Sequence, residues 1–358
     1  MSARFHPLTL AAVERETASA VSLRFAVPDE LKPLFAFKPG QHVTLRATVE
    51  GKEVRRNYSL CAAPDEGVLK VTVKQIPGGV FSGWANTALE AGASIDVMPP
   101  HGSFTWAFQR NAARHYVAFA GGSGITPIFS LLKTALREEP DSRFTLVYGN
   151  RSADDIIFLE ALAALKNRHM ARLEVVHVLS EEEQDIPLLH GLLDRGKCDE
   201  ILDTLVAPDT VDAFFICGPG LMMEAVEGAL LARDVPRQHI LIERFTVGRP
   251  SAAQTADAAR LQETAAGRTL MISLDGRRRK VAFDARLGNI LDSAHAAGMA
   301  VPYACKAGVC ATCRARLTSG KVDMKACYGL TQDEVAAGYV LTCQAVPLTD
   351  DVALDYDG

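Results

Sequence analysis

Three cysteines within nine positions, Cys305, Cys310 and Cys313 of "YACKAGVCATC", constrain this chain more than any other feature. Thiols set so close either bridge or share a ligand, and the surroundings lack the cysteine density of a disulfide scaffold. A fourth thiol stands at Cys343 in "VLTCQA", completing C-x4-C-x2-C with a distant last member. This is the plant-type spacing for a [2Fe–2S] cluster. Two irons bridged by sulfide need two thiolates each, and a tight loop can supply three while a later strand supplies the fourth. Ala304, Ala307, Gly308 and Ala311 keep the loop slim, so backbone N–H groups can approach the sulfurs. Structural zinc is the competing reading, but it favours two C-x2-C knuckles and only Cys310 and Cys313 form one. Cys327, in "MKACYGL", is an extra thiol that could be mistaken for the fourth ligand, while Cys61 and Cys198 read as structural or surface residues.

At 358 residues the chain exceeds one ordinary core, so two or three domains are expected. No apolar run reaches about 18 residues, as a membrane span requires. The start "MSARFHPLTLAAVE" lacks the basic, apolar and small-residue segments of a signal peptide. A cytoplasmic protein with reduced thiols and no membrane association is expected. Net charge is −5, and the basic cluster "RRRK" at 277–280 follows the turn dipeptide Asp275-Gly276. It reads as the solvated face of a strand rather than a nucleic-acid surface.

Hydrophobic patterning divides the chain. Residues 1–108 hold short alternating segments such as "HVTLRATV" and "VLKVTVKQI", separated by Pro and Gly, which predicts an antiparallel barrel or sandwich. Across 109–245, apolar strands ("HYVAFA", "FTLVYGN", "LEVVHVL", "DAFFICG", "HILIERF") alternate with helical patterns at 127–139, 154–168 and 221–233. That alternation predicts a parallel α/β sheet covered on both faces. Residues 246–268 carry few large apolar side chains and read as a linker. Residues 269–358 then supply a hairpin, a short helix at 289–298, the cysteine loop and further short strands.

Two of these regions carry cofactor signals. In "RRNYSL", Arg56, Tyr58 and Ser59 offer a cation for a pyrophosphate, an aromatic ring for an isoalloxazine and a hydroxyl for the reactive flavin edge. Gly79 and Ser82 of "GGVFSGWA" open a helix whose N-terminus suits a phosphate. "AGGSGITP" follows a strand and precedes a helix, so its amides can cradle a dinucleotide pyrophosphate, although Gly122-x-Gly124 ends in Pro127 rather than completing G-x-G-x-x-G. A serine-hydrolase elbow is excluded because Ile125 stands where glycine is needed. Cys217, Gly218 and Pro219 of "ICGPGLMM" end a later strand, where open α/β sheets place ligands. Cys217 reads either as an ordinary buried thiol or as a group flanking a nicotinamide. Arg151 and Ser152, after "LVYGN", suit a 2′-phosphate better than a 2′-hydroxyl, which favours NADPH and leaves NADH possible.

In this order the motifs resemble those of the ferredoxin–NADP reductase superfamily, and specifically its oxygenase reductases with a C-terminal plant-type ferredoxin domain. The resemblance spans essentially the whole chain and, through "KPGQHVTL", "VYGNRS", "LLHG" and "GYVLTCQA", extends to the branch that serves phenylacetyl-CoA epoxidases. It implies an FAD-binding β-barrel, an NADP-binding α/β domain and a β-grasp [2Fe–2S] domain. It further implies that Arg56, Tyr58 and Ser59 bind FAD with Ser59 near N5, and that Gly79 and Ser82 hold the FAD pyrophosphate. Gly122, Gly124 and Thr126 would line the NADPH pyrophosphate site, with Arg151 and Ser152 at the 2′-phosphate. Cys217, with Gly218 and Pro219, would lie beside the nicotinamide, and Glu243 and Phe245 of "ERF" would act at the flavin. Cys305 with Cys310 and Cys313 with Cys343 would each share an iron. The implied partner is a di-iron oxygenase, because this chain carries no oxygenase metal site of its own; a different aromatic-ring oxygenase is the alternative acceptor, and a redox sensor a remote one. Lys306, Arg314 and Arg316 flank the cysteine loop and suggest a mildly basic docking face.

Overall fold

The computed structural model describes residues 4–245 and 252–358. Contacts divide them into two compact units, one built from Phe5–Val54 with Tyr58–Arg244, the other from Phe245–Gly358 with Arg55–Asn57.

The first unit begins with β1 (His6–Thr17), β2 (Ala20–Ala26), β3 (His42–Val49), β4 (Lys52–Ser59), β5 (Leu69–Lys74), helix α1 (Val80–Thr87) and β6 (Ser94–Val97). The strands form one sheet in the order β4-β3-β6-β1-β2-β5. A bridge from Leu60 to Val71 joins the two ends, so the antiparallel sheet closes as a barrel. Alternation explains the core: Leu8 and Leu10, Val21 and Leu23, and Val43 and Leu45 are spaced two apart and almost fully buried.

A parallel sheet follows, made of β7 (His115–Gly121), β8 (Arg143–Asn150), β9 (Leu173–Leu179), β10 (Ala213–Cys217) and β11 (Ile240–Glu243) in the order β11-β10-β7-β8-β9. Helices α2 (Ile125–Glu138), α3 (Leu159–Arg168), α4 (Arg195–Thr204) and α5 (Gly220–Leu231) connect the strands. Residues of β10 alternate between the two covered faces, with Ala213, Phe215 and Cys217 packing on one side and Phe214 and Ile216 on the other. The first of these cores also takes in Ala20, Cys61 and Phe104 from the barrel, which makes barrel and sheet one packed body. Strand order reverses at β7, so the ends of β7 and β10 lie side by side at the topological switch point. Helix α3 starts at Leu159, not at the expected 154, because Phe158 turns left-handed at φ 66° and stacks on Phe129 at 4.5 Å. Helix α4 escapes a hydrophobic-period search because its sequence "RGKCDEILDT" is largely polar; Asp194 caps it by accepting the Lys197 N–H.

The second unit contains α6 (Ala252–Ala265), β12 (Thr269–Leu274), β13 (Arg277–Ala282), α7 (Ile290–Ala296), β14 (Arg314–Ser319), β15 (Val322–Met324), α8 (Gln332–Ala336), β16 (Tyr339–Leu341), β17 (Ala345–Pro347) and β18 (Ala353–Asp355). Its main sheet runs β13-β12-β18-β14-β16, with β15 and β17 paired separately. The expected hairpin is β12–β13, turned through Asp275 at φ 50° and Gly276 at φ 70°. Asp357 accepts both turn N–H groups at 2.8 Å. Arg277–Lys280 are all exposed on an edge strand, where charge discourages pairing with another chain. Within the segment expected as a linker, α6 ends with Ala265 buried in the core of this unit, so part of that segment is packed structure. Residues 246–251 lie outside the described residues.

One buried acid pins the first unit. Glu139, fully buried after α2, accepts from Tyr116 Oη at 2.8 Å, Ser142 Oγ at 2.6 Å and the Gln109 N–H at 2.7 Å, and pairs with Arg114. Removing it leaves the Tyr116 hydroxyl and the Gln109 N–H without their acceptor and takes one partner each from Ser142 and Arg114. Glu139→Ala is expected to lower stability by about 3 kcal/mol in urea unfolding; a loss below about 1 kcal/mol would show that those donors find other partners.

Candidate functional site

The cysteine loop joins α7 to β14. Lys306, Gly308 and Ala311 take φ of 53°, 75° and 54°, so the loop repeatedly turns into the left-handed region. A Cβ on Gly308 would stand 2.9 Å from the Ala326 carbonyl, so glycine is needed at this close approach. The turns aim N–H groups at sulfur: Ala307 donates to Cys305 Sγ at 3.3 Å, and Thr312 and Gly308 serve Cys310 and Cys343. Gln344 Nε2 also reaches Cys343 Sγ, at 3.5 Å. The thiols stand as two hydrogen-bonded pairs, Cys305 with Cys310 and Cys313 with Cys343. In each pair the partner's hydrogen bond holds one thiol low, at Cys310 and Cys343, and the other high. Among the described residues no three Cys, His, Asp or Glu side chains are grouped as a single metal ion would need. Two facing pairs ringed by N–H donors fit a two-iron cluster better than one zinc ion. Cys327 is shifted upward by burial and by Glu334, with no contribution from the four thiols.

The basic docking face expected here is not what the structure presents. Lys306 pairs with Asp292 at 2.6 Å, and Arg314 pairs with Glu334 at 2.5 Å and lies over the Tyr339 ring. Two of the three cations are neutralised locally, leaving exposed Arg316 as the remainder of that charge.

In the barrel, Tyr58 and Ser59 end β4. Tyr58 lies 5.4 Å from the Phe81 ring, which meets Trp84 edge-on. Ser59 is 3% exposed, and its hydroxyl has no hydrogen-bond partner. An orphaned buried hydroxyl is costly unless a ligand completes it, so this atom fits the flavin edge assigned to it. Arg56 is exposed on the same strand, its Nη1 donating to the Arg55 carbonyl at 2.7 Å. Gly79 caps α1, and a Cβ there would meet Ser82 Oγ at 2.3 Å. The Ser82 hydroxyl is engaged within the loop, accepting from the Ile76 N–H at 3.1 Å and donating to the Gly79 carbonyl at 3.3 Å. What the loop leaves for an anion is the set of free N–H groups in the first turn of α1.

At the switch point the two Gly-bearing loops touch. A Cβ on Gly124 would stand 2.0 Å from the Cys217 carbonyl, and one on Gly218 would meet the Gly121 N at 2.9 Å. Pro219 and Met222 press on Gly121 in the same way. Gly122 is left-handed at φ 51°; its carbonyl accepts from Tyr148 Oη at 2.9 Å, and Thr126 Oγ1 donates to the Ser123 carbonyl at 3.0 Å. Burial drives the Cys217 thiol well above its ordinary pKa, with Glu243 on the adjacent strand adding to the effect. It is a neutral thiol, not a nucleophile. Phe245 follows β11 and is 38% exposed. Arg151 is exposed, ion-paired to Asp155 at 2.8 Å, and Ser152 Oγ leans on the same acid at 3.5 Å.

Three residues here escaped the sequence analysis. Lys74 lies in a cavity of about 400 Å³ lined also by Ser19, Gln75, Pro77 and Arg151, with its Nζ 3.4 Å from where a Gly122 Cβ would be. The orphaned Ser19 hydroxyl belongs to the same cavity. His42 is buried beside His101 and 3.8 Å from the Glu243 carboxylate, and burial holds it neutral. Lys74 was visible only as the last polar residue of a strand, and nothing in "KPGQHV" marked His42 as buried.

Comparison with known proteins agrees with this geometry. Family models match residues 7–106 as an oxidoreductase FAD-binding domain, 119–228 as an oxidoreductase NAD-binding domain and 272–348 as a 2Fe-2S iron-sulfur cluster binding domain. The chain is 43% identical over 353 residues to a subunit of the 1,2-phenylacetyl-CoA epoxidase of Escherichia coli (strain K12), covering 99% of this chain and 98% of that one. It belongs to the ferredoxin–NADP reductase superfamily, among the oxygenase reductases that end in a [2Fe–2S] domain. The ferredoxin reductase component of 3-ketosteroid-9-alpha-monooxygenase from Rhodococcus rhodochrous is 36% identical, with 98% and 96% of the two chains covered. Phthalate dioxygenase reductase shares the fold at a TM-score of 0.58 and 22% identity, with 98% of each chain covered. The chain is thus an oxidoreductase with FAD-, NAD- and [2Fe–2S]-binding domains.

The touching loops give a direct test. Gly124→Ala must push the glycine-rich loop away from Cys217, and nicotinamide nucleotide affinity is expected to fall about 10²-fold by calorimetric titration, with FAD content unchanged. Undiminished affinity would show that the contact is dispensable.

Proposed function

We propose that this chain draws electrons from NADPH and delivers them singly to a di-iron oxygenase, the phenylacetyl-CoA epoxidase of phenylacetate catabolism, in the cytoplasm. The observation that carries the electron-delivery reading is the arrangement of four thiols as two donor-ringed pairs on the chain that also holds the nucleotide edge. Identity of 43% over nearly the full length supports the choice of acceptor. When bound, the flavin takes electrons in pairs from the nicotinamide and the cluster releases them one at a time.

The chain's own residues would bind and orient. Boundaries at 108 and 245 would separate the FAD and nucleotide segments, and the cluster segment would take in α6 as well as residues 269–358. Tyr58 would lie against the isoalloxazine, Ser59 would donate to its N5 edge, and Arg56 with the first turn of α1 after Gly79 would take the pyrophosphate. Ser82 would shape that turn. Gly122, Gly124 and Thr126 would receive the nicotinamide nucleotide, with Gly218 and Pro219 opposite them. Cys217, held neutral, and Glu243 would flank the nicotinamide ring, and Phe245 would cover the flavin. Lys74 and Arg151 would supply two cations to the nucleotide, and Ser152 a hydroxyl. A guanidinium and a hydroxyl after β8, with Lys74 across the cavity, support NADPH over NADH.

Reconstitution with the oxygenase component of phenylacetyl-CoA epoxidase, following NADPH-dependent loss of phenylacetyl-CoA, tests the acceptor. Turnover with that component and none with a 3-ketosteroid oxygenase is expected; the reverse would reassign the partner. Cys310→Ser should abolish that turnover while NADPH still bleaches the flavin. Arg151→Ala is expected to reduce the NADPH-to-NADH ratio of kcat/KM about tenfold, the effect of losing one exposed charge-assisted contact. An unchanged ratio would remove Arg151 from the 2′-phosphate site.

A further inference from the structure

The C-terminal strand makes a contact with the cysteine pair that the relay as described does not use. Tyr356 stands just beyond β18, its N–H bonded to the Ser273 carbonyl at 3.1 Å and its ring packed on the core of the second unit. Its Oη donates to Thr342 Oγ1 at 2.7 Å. Thr342 is fully buried and immediately precedes Cys343. With its acceptor side taken by Tyr356, the threonine hydroxyl directs its own proton to the Cys313 carbonyl, at 2.9 Å. The Thr342 N–H reaches the same carbonyl at 3.2 Å. Cys313 and Cys343 are thereby tied through their backbones as well as through their thiols. Both are nearly inaccessible, at 2% and 5% exposure, so water cannot replace the chain.

We propose that Tyr356 is a positioning residue for the inner thiol pair: through Thr342 it fixes the separation of Cys313 and Cys343 and polarises the Cys313 peptide. A hydroxyl without an acceptor-side partner can rotate, and Thr342 freed from Tyr356 would hold its proton less firmly on the Cys313 carbonyl. Tyr356 removes that freedom, and the two-bond chain strengthens each member cooperatively. The consequence is electrostatic. Donors converging on the Cys313 carbonyl place positive partial charge beside the pair, which favours the more negative, reduced state of whatever the pair holds. This inference rests on the reading that the four thiols carry the [2Fe–2S] cluster, and the wild-type electron paramagnetic resonance signal reports on that reading separately.

Tyr356→Phe in the full-length holoprotein keeps the ring and removes only the hydroxyl. Iron and sulfide content and the flavin reduction rate should match wild type. At a fixed poise the reduced-to-oxidised ratio of the cluster should fall about threefold, a midpoint lower by ~28 mV at 59 mV per tenfold for a one-electron couple, and the g-values should change. Thr342→Val should reproduce the shift, Thr342→Ser should restore wild-type values, and the double variant Tyr356→Phe/Thr342→Val should add nothing further, as one chain requires. A wild-type midpoint and spectrum in Tyr356→Phe would overturn the proposal, as would additive shifts in the double variant. Should Tyr356→Phe lose the cluster outright while Thr342→Val keeps it at the wild-type midpoint, Tyr356 is a packing residue and the proposal fails. A wild-type protein with no such signal would instead refute the cluster assignment.

Discussion

Four thiols must face one another without bridging, and the second unit is arranged around that requirement. Thiols so close either oxidise or need ligands that spread their charge, and here the loop supplies the spreading: left-handed turns at Lys306, Gly308 and Ala311 turn successive N–H groups toward sulfur. Two of those three positions are not glycine, so the loop accepts backbone strain to gain donors. The core beneath it, from Leu270 and Ile272 to Leu341 and Leu354, is continuous and apolar, which leaves the loop little freedom to relax.

The first unit meets the opposite demand. A nucleotide brings concentrated negative charge, and the chain answers with backbone more than with side chains. At the switch point Gly121, Gly124 and Gly218 let two loops approach until no Cβ fits between them, and Tyr148 and Thr126 bond the Gly122 and Ser123 carbonyls of the first loop. Lys74 and Arg151 bring two cations to the rim, where they line one cavity. The interior residues near the proposed ring site, Cys217 and His42, are held neutral by burial, which leaves the Glu243 carboxylate as the charged group beside them.

Much of this was legible in the sequence, for identifiable reasons. Strands with strong alternation or continuous apolar runs were readable almost to the residue: "HVTLRATV" is β3 and "LEVVHVL" is β9. The set of four thiols was legible from its spacing, and their pairing was implied by the family resemblance. What escaped depends on tertiary neighbours. Phe158 delays α3 because Phe129 offers it a stacking partner, and α4 is polar because only Cys198, Ile201 and Leu202 need burial. The helix inside the expected linker has few large apolar residues, yet Leu261 and Ala265 are enough to pack its end on the core. The basic face beside the cysteine loop failed for the same reason, since Asp292 and Glu334 are distant in sequence from the cations they neutralise. Lys74 joins the nucleotide edge only once barrel and sheet have packed together.

Conversion of paired electrons into single ones is the central claim, and an anaerobic titration of the purified holoprotein with NADPH, followed by absorbance and paramagnetic resonance, tests it most directly. Uptake of about three electrons per chain, two on flavin and one on the cluster, with a paramagnetic signal appearing as NADPH is consumed, is the expected result. Bleaching of the flavin alone, with the four-cysteine centre still oxidised at excess NADPH, would contradict it.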